Sequence, residues 1–135
     1  MWLPGRTVAQ AASRHLPPGV SLRVHGSRAA ARSVARWLSR HGFDAHPESA
    51  EAASEPTPAL VWLGAIDAPS AGLAAESLRD GGSLVVCRVR LLSRRSAMDL
   101  TACLAHAGFV RIGQARAGGL LPVFATYGIL RRLPE

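Results

Sequence analysis

Two stretches of this chain, Ala59 to Ile66 and Ser83 to Val89, are almost continuously apolar, and nothing else narrows the possible folds as much. Each has the length of a strand. A strand with one wet face alternates apolar and polar residues; a strand without that alternation is covered on both faces, as in a parallel sheet between helical layers. The intervening segments read as helices, and strands alternating with helices imply right-handed strand–helix–strand crossovers. The expected class is therefore α/β.

The remaining elements fit that frame. Thr7 to Leu16 reads as a short helix within an N-terminal helical segment, 1–18, stopped by Pro17-Pro18-Gly19. Val20 to His25 alternates as a strand, Gly26 breaks it, and Ser27 is placed to cap the next helix. That helix, Arg28 to His41, carries Ala30, Ala31, Val34, Trp37, Leu38 and His41 on one face, with Gly42 at its end. Phe43 to His46 is a short strand, and 47–58, rich in Ala, Ser, Glu and Pro, reads as a surface loop. Ser70 is expected to cap a helix over Ala71 to Arg79 that Asp80-Gly81-Gly82 terminates. A further helix, Ser96 to Ala107, buries Leu100, Cys103, Leu104 and Ala107. Phe109 to Ala115 and Val123 to Leu130, joined through Gly118-Gly119, should pair as an antiparallel hairpin. The length of 135 residues suits one domain. The predicted central strands are Val20–His25, Ala59–Ile66 and Ser83–Val89.

Charge narrows the partners. The net charge is +7, and all sixteen basic residues are Arg, with no Lys and no Asn in the chain. An Arg-only surface suits bidentate contact with phosphate or carboxylate; a GC-rich coding sequence would produce the same bias. Either origin leaves a surface that attracts polyanions. Arg28, Arg32, Arg36 and Arg40 recur every four residues on the helix face opposite its apolar stripe. They could meet RNA phosphates or an acidic protein surface, or simply face water. Arg88, Arg90, Arg94 and Arg95 form a second cluster near the carboxyl end of a strand, where ligands of open α/β sheets bind. No aromatic stacking motif accompanies it, which disfavours single-stranded nucleic acid.

Other chemistry is sparse. Cys87 and Cys103 fall on apolar faces and read as buried thiols; their spacing matches no zinc pattern. His15, His41, His46 and His106 show no metal-ligand spacing, so no metal is expected. His25 and Asp67 follow strands at the sheet edge where a site would lie. His25 there is either a general base or a side chain filling space. No apolar run approaches the ~20 residues of a membrane span. A cytoplasmic setting is the default, with organellar import an alternative because the first acidic residue is Asp44.

Leu78-Arg79-Asp80-Gly81-Gly82-Ser83-Leu84-Val85-Val86 and Ala107-Gly108-Phe109-Val110 resemble the helix end, paired glycines and late strands of class I S-adenosylmethionine-dependent methyltransferases. The resemblance implies a Rossmann-like sheet, mostly parallel with a C-terminal antiparallel hairpin. It also implies a methyl-donor site in the loop after the first strand, at Gly26 and Ser27, with Glu48 at the acidic ribose position. Two departures bear on activity. The loop Val24-His25-Gly26-Ser27-Arg28 holds one glycine where the family has several. The chain also passes from its second strand to Ala59 without room for a full helix and strand. The shortened layout is similar to that of the anamorsin N-terminal domain family, a methyltransferase-like fold without donor use; no iron–sulfur role follows from the layout. The expectation is a non-catalytic binding or structural subunit with a degenerate site and no cofactor. The alternatives are a minimal active methyltransferase using S-adenosylmethionine and a basic RNA- or anion-binding module of a larger complex.

Overall fold

The computed structural model describes residues 5–47, 56–64, 66–88, 94–117 and 123–131. In chain order the elements are α1 (Gly5–Ser13), β1 (Ser21–His25), α2 (Arg28–Arg40), β2 (Asp44–Pro47), β3 (Thr57–Leu63), α3 (Ala68–Ser77), β4 (Leu78–Arg88), α4 (Arg94–His106), β5 (Phe109–Ala117) and β6 (Val123–Leu130). They build one six-stranded sheet in the order β2-β1-β3-β4-β6-β5. The four strands from β2 to β4 are parallel, while β6 runs antiparallel to both β4 and β5. β1, β3 and β4 are central, as expected. Their neighbours cover both backbone edges, and helices cover both faces.

The period-2 geometry of strands sorts the core into two layers. Val24, Ala59, Val61, Leu63, Val85 and Cys87 point to one face, where they meet Val8 and Ala12 of α1 and Val34 and Leu38 of α2. Leu60, Trp62, Leu84 and Val86 point to the other, against Ala71 and Ala74 of α3 and Leu100 and Leu104 of α4. The continuous apolar runs follow from this: from Ala59 to Leu63 and from Leu84 to Cys87 the side chains are buried on both faces of the sheet.

Several boundaries differ from the sequence reading, each for a local reason. Helix α3 starts earlier, because Asp67 and not Ser70 is its N-cap, accepting the Ser70 N–H at 2.9 Å. It also ends earlier: Leu78 is already extended (φ −105°, ψ 147°), and Asp80-Gly81-Gly82 lies inside β4. There the pairing with β3 slips, from Thr57↔Leu78 to Ala59↔Ser83. Pro58, which has no N–H for a ladder, sits opposite that slip. A Cβ at Gly82 would fall 2.8 Å from the Arg79 carbonyl oxygen, and Gly81 takes a φ of +79°. The paired glycines therefore shape a bulge between strands and do not terminate a helix.

Pro47 belongs to β2 and Thr57–Pro58 to β3, so the expected loop is shorter at both ends; its centre, 48–55, lies outside the described residues. α1 occupies Gly5–Ser13 of the expected 1–18 segment. Strand β3 stops at Leu63, because Gly64 turns the chain with a φ of +104°. Ser27 is at the N-cap of α2 but makes no side-chain cap bond, and Ser96 lies inside α4, which begins at Arg94. His41 is exposed, and Cys103 is half-buried where a buried thiol was expected. Among the described residues no helix is long and apolar enough to cross a membrane.

Candidate functional site

Strand order locates the place where such a sheet can bind a ligand. From β1 the chain crosses by α2 to β2, and from β3 it crosses by α3 to β4, in the opposite direction. The carboxyl ends of β1 and β3 therefore part company, leaving a crevice at the topological switch point. His25, Gly26 and Ser27 reach it from β1, and Leu63, Gly64 and Asp67 from β3.

The crevice is narrow. Gly26 lies so close to β3 that a Cβ there would fall 2.8 Å from the Leu63 Cβ and 3.1 Å from its Cδ1. Leu63 is itself 8% exposed and anchored in the core. The bare side of Gly26 thus faces protein. On the other sheet face His25 stacks on Trp62, its register partner, with ring centroids 3.9 Å apart and planes 23° apart. Gly64 donates its N–H to the Cys87 carbonyl at 2.9 Å, fixing the exit of β3 against β4.

The titratable groups nearby are tied to structure. Hydrogen bonds from the Ser70 side chain and then its backbone N–H hold the Asp67 carboxyl below its usual range, and the same contacts cap α3. Burial pushes the Cys87 thiol up to about 12, which leaves it a protonated core group. Among the described residues no group of three or more His, Cys, Asp or Glu side chains is close enough to hold a metal ion. His46 hydrogen-bonds Asp44 at 2.7 Å on the exposed edge strand.

The arginines expected to bind a partner fall into two places. Arg28, Arg32, Arg36 and Arg40 are all exposed on α2. Trp37, half-buried beside them, has the Arg40 guanidinium carbon 4.9 Å from its ring centroid and that of Arg6, from α1, at 6.0 Å. No carboxylate among the described residues pairs with Arg28, Arg32 or Arg36, and neither α1 nor α2 contains an acidic residue. Arg88 ends β4 in register with Phe124, on the face opposite Cys87. Arg94 and Arg95 open α4, which packs on that opposite face. Arg90 and Glu48 lie outside the described residues. The α2 ladder and Arg88 therefore belong to different layers of the sheet.

Sequence reasoning missed Leu63, Trp62 and Arg6. The first two are core residues of a buried run, and only pairing register brings them beside Gly26 and His25. Arg6 joins the ladder through helix packing. A groove of about 670 Å³ between α3 and α4, lined by Ala68, Gly72, Ala102, Cys103, His106 and Ala107, was also not anticipated.

No protein-family model matches the sequence, and no curated protein sequence does. Solved structures do match in shape. A Thermotoga maritima S-adenosylmethionine-dependent methyltransferase, described as a possible histamine N-methyltransferase, superposes with a TM-score of 0.58 at 14% identity, over 94% of this chain and 89% of that one. An O-methyltransferase from the same organism gives 0.63 at 12% identity, over 100% of this chain and 68% of that one. The fold is class I methyltransferase-like. A chain from the complex between the Haloferax volcanii Trm112 methyltransferase activator and the putative methyltransferase gives 0.60 at 10% identity, covering 94% and 90%. In this methyltransferase-like sheet, Gly26 and Ser27 stand at the end of the first strand, where the resemblance placed a donor loop.

Proposed function

We propose that this methyltransferase-like domain is a non-catalytic binding subunit that holds a polyanionic partner on the α2 arginine face. The observation that carries the reading is the Gly26–Leu63 contact. Donor-binding glycines leave backbone bare so that a ligand can approach it. Here the bare side of Gly26 is filled by Leu63, 2.8 Å from where a Cβ would stand. The stacked His25 and Trp62 rings fill the opposite face of the same crevice with side chains. Charge supports the binding half of the proposal: four exposed arginines on one helix, none of them paired with a carboxylate among the described residues. A neighbour drawn from an activator–methyltransferase complex supports a role as a subunit.

Isothermal titration with S-adenosylmethionine and S-adenosylhomocysteine tests the first half. No heat of binding at millimolar ligand is expected. A micromolar dissociation constant would overturn the reading in favour of a minimal active methyltransferase, which the fold of the neighbours otherwise supports.

A further inference from the structure

We propose that the α1–α2 arginine face binds the phosphate backbone of a nucleic-acid duplex. This rests on the reading of that face as a polyanion site and commits it to one class of partner.

Three observations separate a phosphate backbone from an acidic protein surface. The first is geometry. Arg28, Arg32, Arg36 and Arg40 lie on one helix, so successive positions rise about 6 Å along its axis while turning about 40° around it, and the row spans about 18 Å. An extended row of point charges at even intervals suits a polymer with evenly repeated anions. The second is what the described residues of the face lack. Protein interfaces draw their affinity from a few buried aromatic or large apolar anchors. The exposed residues of α2 are Arg28, Ala29, Arg32, Arg36, Ser39 and Arg40, and those of α1 are Arg6 and Gln10. The exposed large hydrophobics among the described residues, Leu73 and Val110, are on α3 and β5. The third is preorganisation. Trp37 presents its ring to both Arg6 and Arg40, limiting the freedom of two guanidiniums before any partner arrives. With its ring so engaged and half-buried, Trp37 offers no platform for an unstacked base, which favours a duplex over a single strand.

Local rules are broken in the same place. Arg28 occupies the first turn of α2, where the helix dipole favours acidic residues, and that turn contains none. The repulsion among four like charges on one face has no carboxylate on either helix to offset it. A duplex backbone supplies that missing charge.

The test uses fluorescence anisotropy of the full chain with three labelled probes: a 20-base-pair RNA duplex, a DNA duplex of the same sequence, and a poly-glutamate peptide. Each is titrated between 50 and 300 mM salt. Arg32→Glu with Arg36→Glu is compared with Arg79→Glu with Arg131→Glu, exposed residues outside α1 and α2 that change net charge equally. Circular dichroism confirms that both variants remain folded. Each phosphate contact releases about 0.9 counterion, so losing two should weaken duplex binding roughly 10- to 100-fold at 0.1 M salt and flatten the salt slope by about two. The expected result is duplex binding that the α2 variant loses and the control variant keeps. Comparing RNA with DNA shows which backbone is preferred. Equal loss in both variants would mean unspecific attraction by net charge and would overturn the proposal. If only poly-glutamate binding depends on Arg32 and Arg36, the duplex proposal fails and the polyanion reading stands. If no probe binds, both fail.

Discussion

Replacing Gly26 with alanine asks whether this glycine exists for packing or for a ligand. The backbone at Gly26 does not require a positive φ, so alanine is not excluded by conformation. In an open position the change would stabilise by about 0.4–1 kcal/mol, by lowering the entropy of the unfolded chain. Here the new methyl would stand 2.8 Å from the Leu63 Cβ, 3.1 Å from Cδ1 and 3.3 Å from Cγ. The Cβ cannot swing away, because β3 is held in register on both edges by β1 and β4. Overpacking of this kind costs about 1–3 kcal/mol. Set against the entropic gain, the net destabilisation should be about 1–2 kcal/mol. Trimming the neighbour provides the internal check. Leu63→Ala alone should cost about 2–4 kcal/mol as a cavity. Combined with Gly26→Ala it removes the γ and δ contacts and leaves only the Cβ clash. The double variant should therefore be more stable than the sum of the two singles predicts, by about 0.5–1 kcal/mol. Urea unfolding followed by tryptophan fluorescence measures all four proteins. If Gly26→Ala is neutral or stabilising with an unchanged slope, the crevice has room beside Gly26. The packing argument against a donor site would then fall.

Three more expectations can be checked with the same methods. Gly113 faces Tyr127 across β5 and β6, and a Cβ there would overlap the phenol ring, which also stacks on His15 with centroids 3.8 Å apart. Gly113→Ala should cost about 1–3 kcal/mol, and truncating Tyr127 to alanine in the same chain should recover part of it. Burial first, and the nearby Arg14 second, lower the His15 pKa from 6.5. The unfolded chain then binds more protons, so stability should be full above pH 6.5 and fall as the pH drops through the lowered folded value; His15→Phe should abolish that dependence between pH 7.5 and 5. The Asp67 carboxyl is held low by Ser70, so its contribution is present above the unfolded value of 3.8 and lost as pH falls through the folded one. Asp67→Ala should lower Tm at pH 7, and Asp67→Asn, which keeps a capping oxygen, should lower it less.

Much of the layout was written in local pattern. Apolar runs long enough for strands and too short for membrane spans announced Ala59–Ile66 and Ser83–Val89 as doubly covered, because a residue on either sheet face needs a helix above it; the strands themselves end at Leu63 and Arg88. The four-residue recurrence of arginine against Val34 and Leu38 announced α2, because helical periodicity alone separates those residues. Gly42, with a φ of +92°, ended that helix as a glycine past a C-terminus does. Such features depend on neighbours within a turn or two, which is the range over which a sequence can be read directly.

Contacts between distant segments could not be read that way. The same Asp80-Gly81-Gly82 triplet suits a helix stop or a strand bulge, and the slip of β4 against Pro58 of β3 decided between them. A lone Gly26 suits either a ligand or a tight loop, and Leu63, far along the chain, stands against it. Composition alone determined that this protein would carry a large excess of arginine. Where that charge gathered was decided by the sheet, which placed the α2 ladder with Arg6 on one side and Arg88 on the other, because a strand buries alternate residues on opposite faces and a helix covers only one.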